Sequence, residues 1–217
     1  MTTTLDTEPV AGIVARLYDN AAAQFADRPP GQPRPAMTGS AAERAEQAQD
    51  IYMPVSPVGA QMMYSLIRAT RPEIVVEFGM SYGISTLHLA AAVRDNGFGR
   101  VYTTELSAKK IAAASSTFVE AGLDDVVTIL EGDALETLAT IDGDVGFVFL
   151  DGWKEMYLPV LELLEPRLPV GTLLVADNTE SPAAAPYLDR VRDPRNGYTS
   201  INFPGKRADT MELSCRV

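Results

Sequence analysis

The 217-residue chain is poor in several things, and each shortage narrows what it can be. Cys215 is the only cysteine, so no internal disulfide and no cysteine-based zinc site can form, and a reducing compartment fits. His88 is the only histidine, and it falls at an ordinary position in a helix that follows a glycine loop, which argues against a histidine general base. Basic residues are outnumbered, 18 Lys and Arg against 29 Asp and Glu, for a net charge of -11. That balance opposes tight binding to nucleic acid or to an anionic membrane, whose phosphates demand a basic footprint, and leaves a small molecule as the expected partner. Residues 1–8 carry Asp6 and Glu8 with no basic residue or long apolar run, so neither a signal peptide nor a membrane span is expected and the reading is cytoplasmic.

What is present suits one domain with a sizeable core, since 46% of the chain is hydrophobic. The organising stretch is residues 74–86. Ile74, Val75 and Val76 form an apolar, β-branched run, and Glu77-Phe78-Gly79-Met80-Ser81-Tyr82-Gly83 then interrupts it before the pattern turns helical. This predicts a buried strand, a tight loop and a helix start. Two glycines four apart let the backbone approach a ligand, and the amides opening the helix suit an anionic group. The spacing is not the G-x-G-x-x-G of dinucleotide enzymes, because Gly79 and Gly83 enclose Met80, Ser81 and Tyr82.

Upstream, Val10, Ile13, Val14, Leu17, Tyr18 and Phe25 fall at helical spacing, and residues 28–35 hold four prolines and a glycine, which predicts a mobile linker. Ser40-Ala41-Ala42-Glu43 has capping-box spacing for a helix to about Asp50. Ser56-Pro57 opens another, with Val58, Met62, Leu66 and Ala69 expected on its inner face. The arm at 1–52 is expected to act as a lid over the acceptor side, with the main domain at 53–217. Met53, Met62 and Met63 are candidates for an acceptor pocket, with plain core as the alternative.

Downstream, apolar strands alternate with amphipathic helices. Strands are expected at 101–104, 126–130, 145–150 and 172–176, with helices opened by Ser107 and Ala134 and one bearing Leu158, Leu161 and Leu164. The pattern predicts an α/β fold with a parallel sheet covered on both faces. Residues 197–203 and 210–217, joined by the turn-rich 204–209, read as a closing antiparallel hairpin.

Each of the five expected parallel strands ends in an acid: Glu77, Glu105, Glu131 with Asp133, Asp151 and Asp177. Ligands of open α/β sheets sit beyond the carboxyl ends of the strands, so these acids suggest a rim that binds hydroxyls, amines or a cation. Glu105 lies 22 residues after Gly83, close to the roughly 20-residue separation at which an acid meets ribose hydroxyls. Asp133 can accept from a base amine or cap the helix beginning at Ala134.

Glu77-Phe78-Gly79 with Gly83, Glu105, Gly132-Asp133-Ala134, Asp151-x-x-Lys154-x-x-Tyr157 and Asp177-Asn178 resemble, in order, the motifs of the cation-dependent S-adenosylmethionine O-methyltransferases. That family includes the catechol and caffeoyl-coenzyme A enzymes and small bacterial relatives, and the resemblance covers roughly residues 53–217. It implies a single-domain class I methyltransferase, Rossmann-like fold with a seven-stranded, mostly parallel sheet. It also implies S-adenosylmethionine as cofactor, a divalent cation (Mg²⁺ foremost), a small hydroxylated acceptor of phenolic or catechol-like type, and a homodimer if the first helix leaves its apolar stripe exposed. The implied cofactor set is Glu77, Gly79, Ser81, Gly83, Ser85, Glu105, Asp133, Ala134 and Asp151; the implied metal ligands are Asp151, Asp177 and Asn178, with Lys154 and Asp151 catalytic. Three hard oxygen donors suit Mg²⁺ while leaving positions for acceptor oxygens. Trp153 is expected either to wall a flat acceptor or to anchor its loop. Two other readings remain open: a nicotinamide-dependent oxidoreductase, which lacks its three-glycine fingerprint here, and a non-catalytic protein on the methyltransferase fold.

Overall fold

A computed structural model of the protein describes residues 2–26, 37–205 and 209–217; the expected linker at 28–35 and the middle of the 204–209 turn lie outside the described residues. Seven strands, β1 (Ile74–Phe78), β2 (Arg100–Glu105), β3 (Val127–Glu131), β4 (Val145–Leu150), β5 (Leu173–Asp177), β6 (Tyr198–Pro204) and β7 (Thr210–Arg216), form one sheet in the order β3-β2-β1-β4-β5-β7-β6. The first five are parallel, and β7 inserts antiparallel between β5 and β6. This is the seven-stranded arrangement with a closing hairpin that the sequence predicts.

Helices α1 (Val10–Ala26), α2 (Ala41–Gln47), α3 (Pro57–Thr70), α4 (Ile84–Asn96) and α5 (Ala108–Ala121) precede α6 (Ala134–Thr137), α7 (Tyr157–Leu164) and α8 (Ala185–Arg192). The period-2 alternation of the strands separates two cores. In β4, Phe147 and Phe149 join the core made with α3, α4 and α5, whereas Val148 and Leu150 join the one made with α7 and α8. α4 is buried from Ile84 through Val93, which explains why its sequence shows no amphipathic stripe.

The local signals act as expected at several element ends. Ser40 and Glu43 make both hydrogen bonds of a capping box, Ser56 caps α3 with Pro57 at its first position, and Ser107 and left-handed Gly122 bound α5. Two expectations are corrected. The inner face of α3 is Ala60, Met63, Tyr64 and Ile67, not Val58, Met62, Leu66 and Ala69: Val58 is 80% exposed, and the stripe that reaches α4 is rotated one position onward. α8 was not anticipated, because only Tyr187 and Val191 are buried along its eight residues, too short a stripe for a period to register.

The arm proves to be two different things. In α1, Val10, Ile13 and Leu17 pack into the first core, and ahead of it the Thr4 amide and hydroxyl bond the Asp95 carboxylate at the end of α4. The apolar stripe of α1 is thus covered within its own chain. α2 lies elsewhere, over the carboxyl ends of the strands.

Candidate active site

In the sheet order, β1 lies between β2 and β4, so the helices that follow β1 and β4 leave toward opposite faces and open a crevice at the strand ends. A cavity of about 900 Å³ occupies it, reached by the ends of β1, β2, β4 and β5 and roofed by residues of α2 and the segment to Val55. Gly79, Ser81, Ser85, Glu105, Ala134, Asp151, Lys154 and Asn178 all line it. The twelve site residues singled out from sequence are spread over the ends of five strands, and the fold gathers eight of them into one space.

The loop after β1 is shaped by contact. Gly79 has φ +98°, and a Cβ there would stand 2.6 Å from the Gly152 nitrogen, so the β1 and β4 loops touch through bare backbone. Gly83, at φ +82°, would drive a Cβ into the Phe118 ring at 2.8 Å. It is a packing glycine beneath the cavity and does not line it. Ser81 takes φ +52° without being glycine, a strained turn that presents its amide to Glu105 Oε2 at 2.8 Å. Leu106 and Ser107 amides donate to Glu105 Oε1, both at 2.9 Å. The carboxylate is therefore fixed at the β2 end and faces the cavity, with three of its roughly four acceptor sites taken.

Glu77 sits under the loop, fully buried and off the cavity wall. Its Oε2 accepts from Thr86 and Thr103 hydroxyls, both at 2.5 Å, while Oε1 has no hydrogen-bond partner. Loss of hydration pushes its pKa up to about 7, with the nearby Ser85 and the two threonine hydroxyls opposing the shift and the Asp151 charge adding to it. Asp133 is likewise off the wall: it is exposed and caps α6 by accepting from Leu135 N at 2.8 Å, the capping alternative of the two weighed from sequence. His88 bonds the Ile84 carbonyl through Nδ1 at 2.8 Å, is 5% exposed and does not reach the cavity; burial lowers its pKa.

On the other side, Asp151 ends β4 and Asp177 ends β5, neighbours in the sheet. Lys154 Nζ donates to Asp151 Oδ1 at 3.0 Å. Asn178 takes φ +57°, and its Nδ2 donates to Asp209 Oδ2 at 2.6 Å, which leaves Oδ1 as its acceptor atom for a ligand. Asp177 is 1% exposed and does not line the cavity. Among the described residues no three His, Cys, Asp or Glu side chains gather as a metal cluster. The donors on hand, two carboxylates and a carboxamide oxygen, are the hard type that Mg²⁺ takes, and on that chemistry they fit.

Several lining residues were not singled out as ligand contacts from sequence. Tyr52 and Tyr82 stack with centroids 4.3 Å apart, and the Arg44 guanidinium lies 4.3 Å from the Trp153 ring centre while pairing with Glu155. The Tyr82 hydroxyl donates to the Gln49 carbonyl at 2.7 Å. α2 and the segment after it are thus tied to the cofactor loop on one side and to the β4 loop on the other. Lys110, in the first turn of α5, lines the cavity although only 2% exposed. Its signal in the sequence is a lysine four residues before Ala114 and eight before Phe118, on a face that is otherwise apolar. Met53 lines the cavity, Met62 is half-buried and Met63 is core.

A family profile described as a methyltransferase domain matches residues 76–179. Catechol O-methyltransferase of Sus scrofa is 34% identical over 139 residues, covering 61% of this chain and 74% of that one. Catechol O-methyltransferase B of Danio rerio is 33% identical over 146 residues, covering 64% of this chain; the match spans 54% of the relative, about half its length. The crystal structure of cofactor-bound Rv0187 from MTB superposes with a TM-score of 0.69 at 28% identity, covering 90% of this chain and 95% of that one. On these matches, with glycine loop, Glu105 and Asp151 assembled in one cavity, the chain belongs to the S-adenosylmethionine-dependent O-methyltransferase family that contains the catechol O-methyltransferases.

Proposed function

We propose that this protein transfers the methyl group of S-adenosylmethionine to a hydroxyl of a small phenolic or catechol-like acceptor, aided by a divalent cation, Mg²⁺ foremost. The observation that carries the reading is that Asp151, Lys154 and Asn178 line the same cavity as Gly79, Ser81, Ser85 and Glu105, so donor-side and acceptor-side groups share one enclosed space. When bound, the cofactor supplies an electrophilic methyl group and the cation supplies positive charge that favours a deprotonated acceptor oxygen.

The chain's own groups then have separate tasks. Glu105 accepts from the ribose, and the amides opening α4 suit the amino-acid end. Asp151, Asp177 and Asn178 hold the cation. Lys154, beside Asp151, takes the acceptor proton in its neutral amine form. Trp153 and Tyr52 give flat apolar walls, and α2 excludes water above them, so that the acceptor is oriented and not covalently activated. The nicotinamide-dependent alternative loses its basis with the family membership. A cytoplasmic setting completes the proposal, with a homodimer that uses a face other than the covered stripe of α1.

The test is product formation from a panel of catechols, other phenols and hydroxylated natural products with labelled S-adenosylmethionine. Activity should vanish in EDTA, return with Mg²⁺ or Mn²⁺, and fall at least a hundredfold in Asp177→Ala, with cofactor affinity little changed. Full activity in chelator would remove the cation from the reading and leave the methyltransferase. No product from any acceptor, with the cofactor bound, would favour the non-catalytic reading.

A further inference from the structure

The cavity is acidic on every side that reaches it, with Glu105, Asp151, Glu155, Glu180 and Asp209 on its wall and a chain charge of -11 around it. The ligand expected there has two positive centres, a sulfonium and an ammonium, and one negative group, the carboxylate of its amino-acid end. Acids serve the first two. The carboxylate needs a cation, and only two line the cavity among the described residues: Lys154 and Lys110. Lys154 is bonded to Asp151 at 3.0 Å. The Lys110 ammonium makes no hydrogen bond or ion pair with any described residue, and it stands 5.6 Å from the centre of the Tyr82 ring.

A buried, unpaired ammonium is costly, and one placed in a ligand cavity awaits an anion. Burial lowers the pKa of Lys110, partly offset by Glu105 and Asp151, so the group sits electrostatically between the ribose-binding acid and the acid at the β4 end. Two further features face the same place. The Ser81 hydroxyl is buried with no hydrogen-bond partner, and Ser85 lies in the first turn of the 13-residue helix α4, whose free amides favour negative charge. Lys110 thus reaches the cofactor loop, which carries Ser81 and Tyr82, from the α5 side.

Building on the methyltransferase reading, we propose that Lys110 is a cofactor-specificity residue: its ammonium pairs with the carboxylate of the amino-acid moiety of S-adenosylmethionine. The same pairing selects the intact cofactor over nucleosides that lack the carboxylate. Tyr82 supports it by holding the ammonium over its ring face, and the stacked Tyr52 keeps water from screening the pair.

The test is titration calorimetry of the full chain with S-adenosylmethionine, S-adenosylhomocysteine and decarboxylated S-adenosylmethionine, in the wild type, Lys110→Met and Lys110→Arg, with melting curves to verify folding. Loss of a charge-assisted hydrogen bond in Lys110→Met should raise Kd for the two carboxylated ligands about tenfold to a hundredfold. The decarboxylated ligand should bind wild type and Lys110→Met alike, and Lys110→Arg should recover most of the affinity. Should Lys110→Met fail to fold, Lys110→Gln carries the same comparison. Unchanged affinity for the carboxylated ligands in the neutral variants overturns the proposal. So does an equal loss for carboxylated and decarboxylated ligands, which would place the lysine at the nucleoside. A wild type that binds none of the three overturns the methyltransferase reading itself, an outcome distinct from either.

Discussion

At the scale of single residues, Glu105 shows what a sequence can and cannot carry. Its distance from the glycine loop is a count along the chain, so its place beside that loop on the cavity wall was legible. That three backbone amides already occupy it was not, because amide directions depend on the turn that Ser81 makes. The acceptor capacity that remains is what the proposed ribose contact must use. Glu105→Ala should weaken cofactor binding by about 1.5–3 kcal/mol by calorimetry. It should also raise hydrogen exchange at Ser81, since the turn loses its anchor. Glu77 is the reverse case, an acid placed on the rim by its sequence position and found beneath it. Its pKa is raised from 4.5 to about 7, so its contribution to stability is complete below pH 4.5 and is lost as pH rises through 7, about 3 kcal/mol in all. Between pH 5 and 8 the ligand-free melting temperature of Glu77→Gln should fall less than that of the wild type, and parallel profiles would contradict this account.

Among elements, the arm separates into a part that folds the protein and a part that roofs the site. Val10, Ile13 and Leu17 are at most 6% exposed, and burying each such side chain is worth about 1.5–3 kcal/mol. Against a total stability of about 5–15 kcal/mol, a deletion of residues 1–36 should therefore unfold or nearly unfold the protein. Of the arm expected to act as a lid, α2, the segment to Val55 and Phe25 at the end of α1 reach the cavity. The tie of α2 to Trp153 and Glu155 runs through Arg44 at a partly exposed pair, worth about 1 kcal/mol or less. Arg44→Ala should leave the melting temperature within about 2 °C yet raise the acceptor KM severalfold with cofactor Kd unchanged. A large loss of stability instead would make α2 part of the core. Helix ends were legible here because Ser40, Ser56, Ser107 and Gly122 act locally. The face of α3 and the existence of α8 were not, since each depends on which neighbour a short stripe meets.

For the whole molecule, five parallel strands and a closing hairpin were legible from apolar strands, crossover helices and a hairpin signal, whereas the order β3-β2-β1-β4-β5-β7-β6 depends on which edge of the sheet each crossover takes. The cavity's position is then a consequence of topology, but its roof, its buried lysine and the placing of Glu77, Gly83, Asp133 and Asp177 off its wall needed coordinates. With α1 folded onto its own chain, the motive for a dimer through that stripe is gone, and any dimer must use another face. Light scattering behind size exclusion checks this. If a dimer forms, Val10→Ser and Leu17→Ser should lower the melting temperature without shifting the dimer to monomer at temperatures where both variants remain folded. No described helix is long and apolar enough to cross a membrane.

The contact between Gly79 and Gly152 has a bearing on how such an enzyme can change its substrate. Where the two loops meet there is no side chain to vary, so this part of the cavity wall is fixed. New acceptors must be accommodated by redrawing the ceiling, at Ala45, Tyr52 and Met53, or the far rim at Asp209, while the donor side stays constant. Chimaeras that exchange those two surfaces between relatives should trade acceptor preference and keep one cofactor affinity.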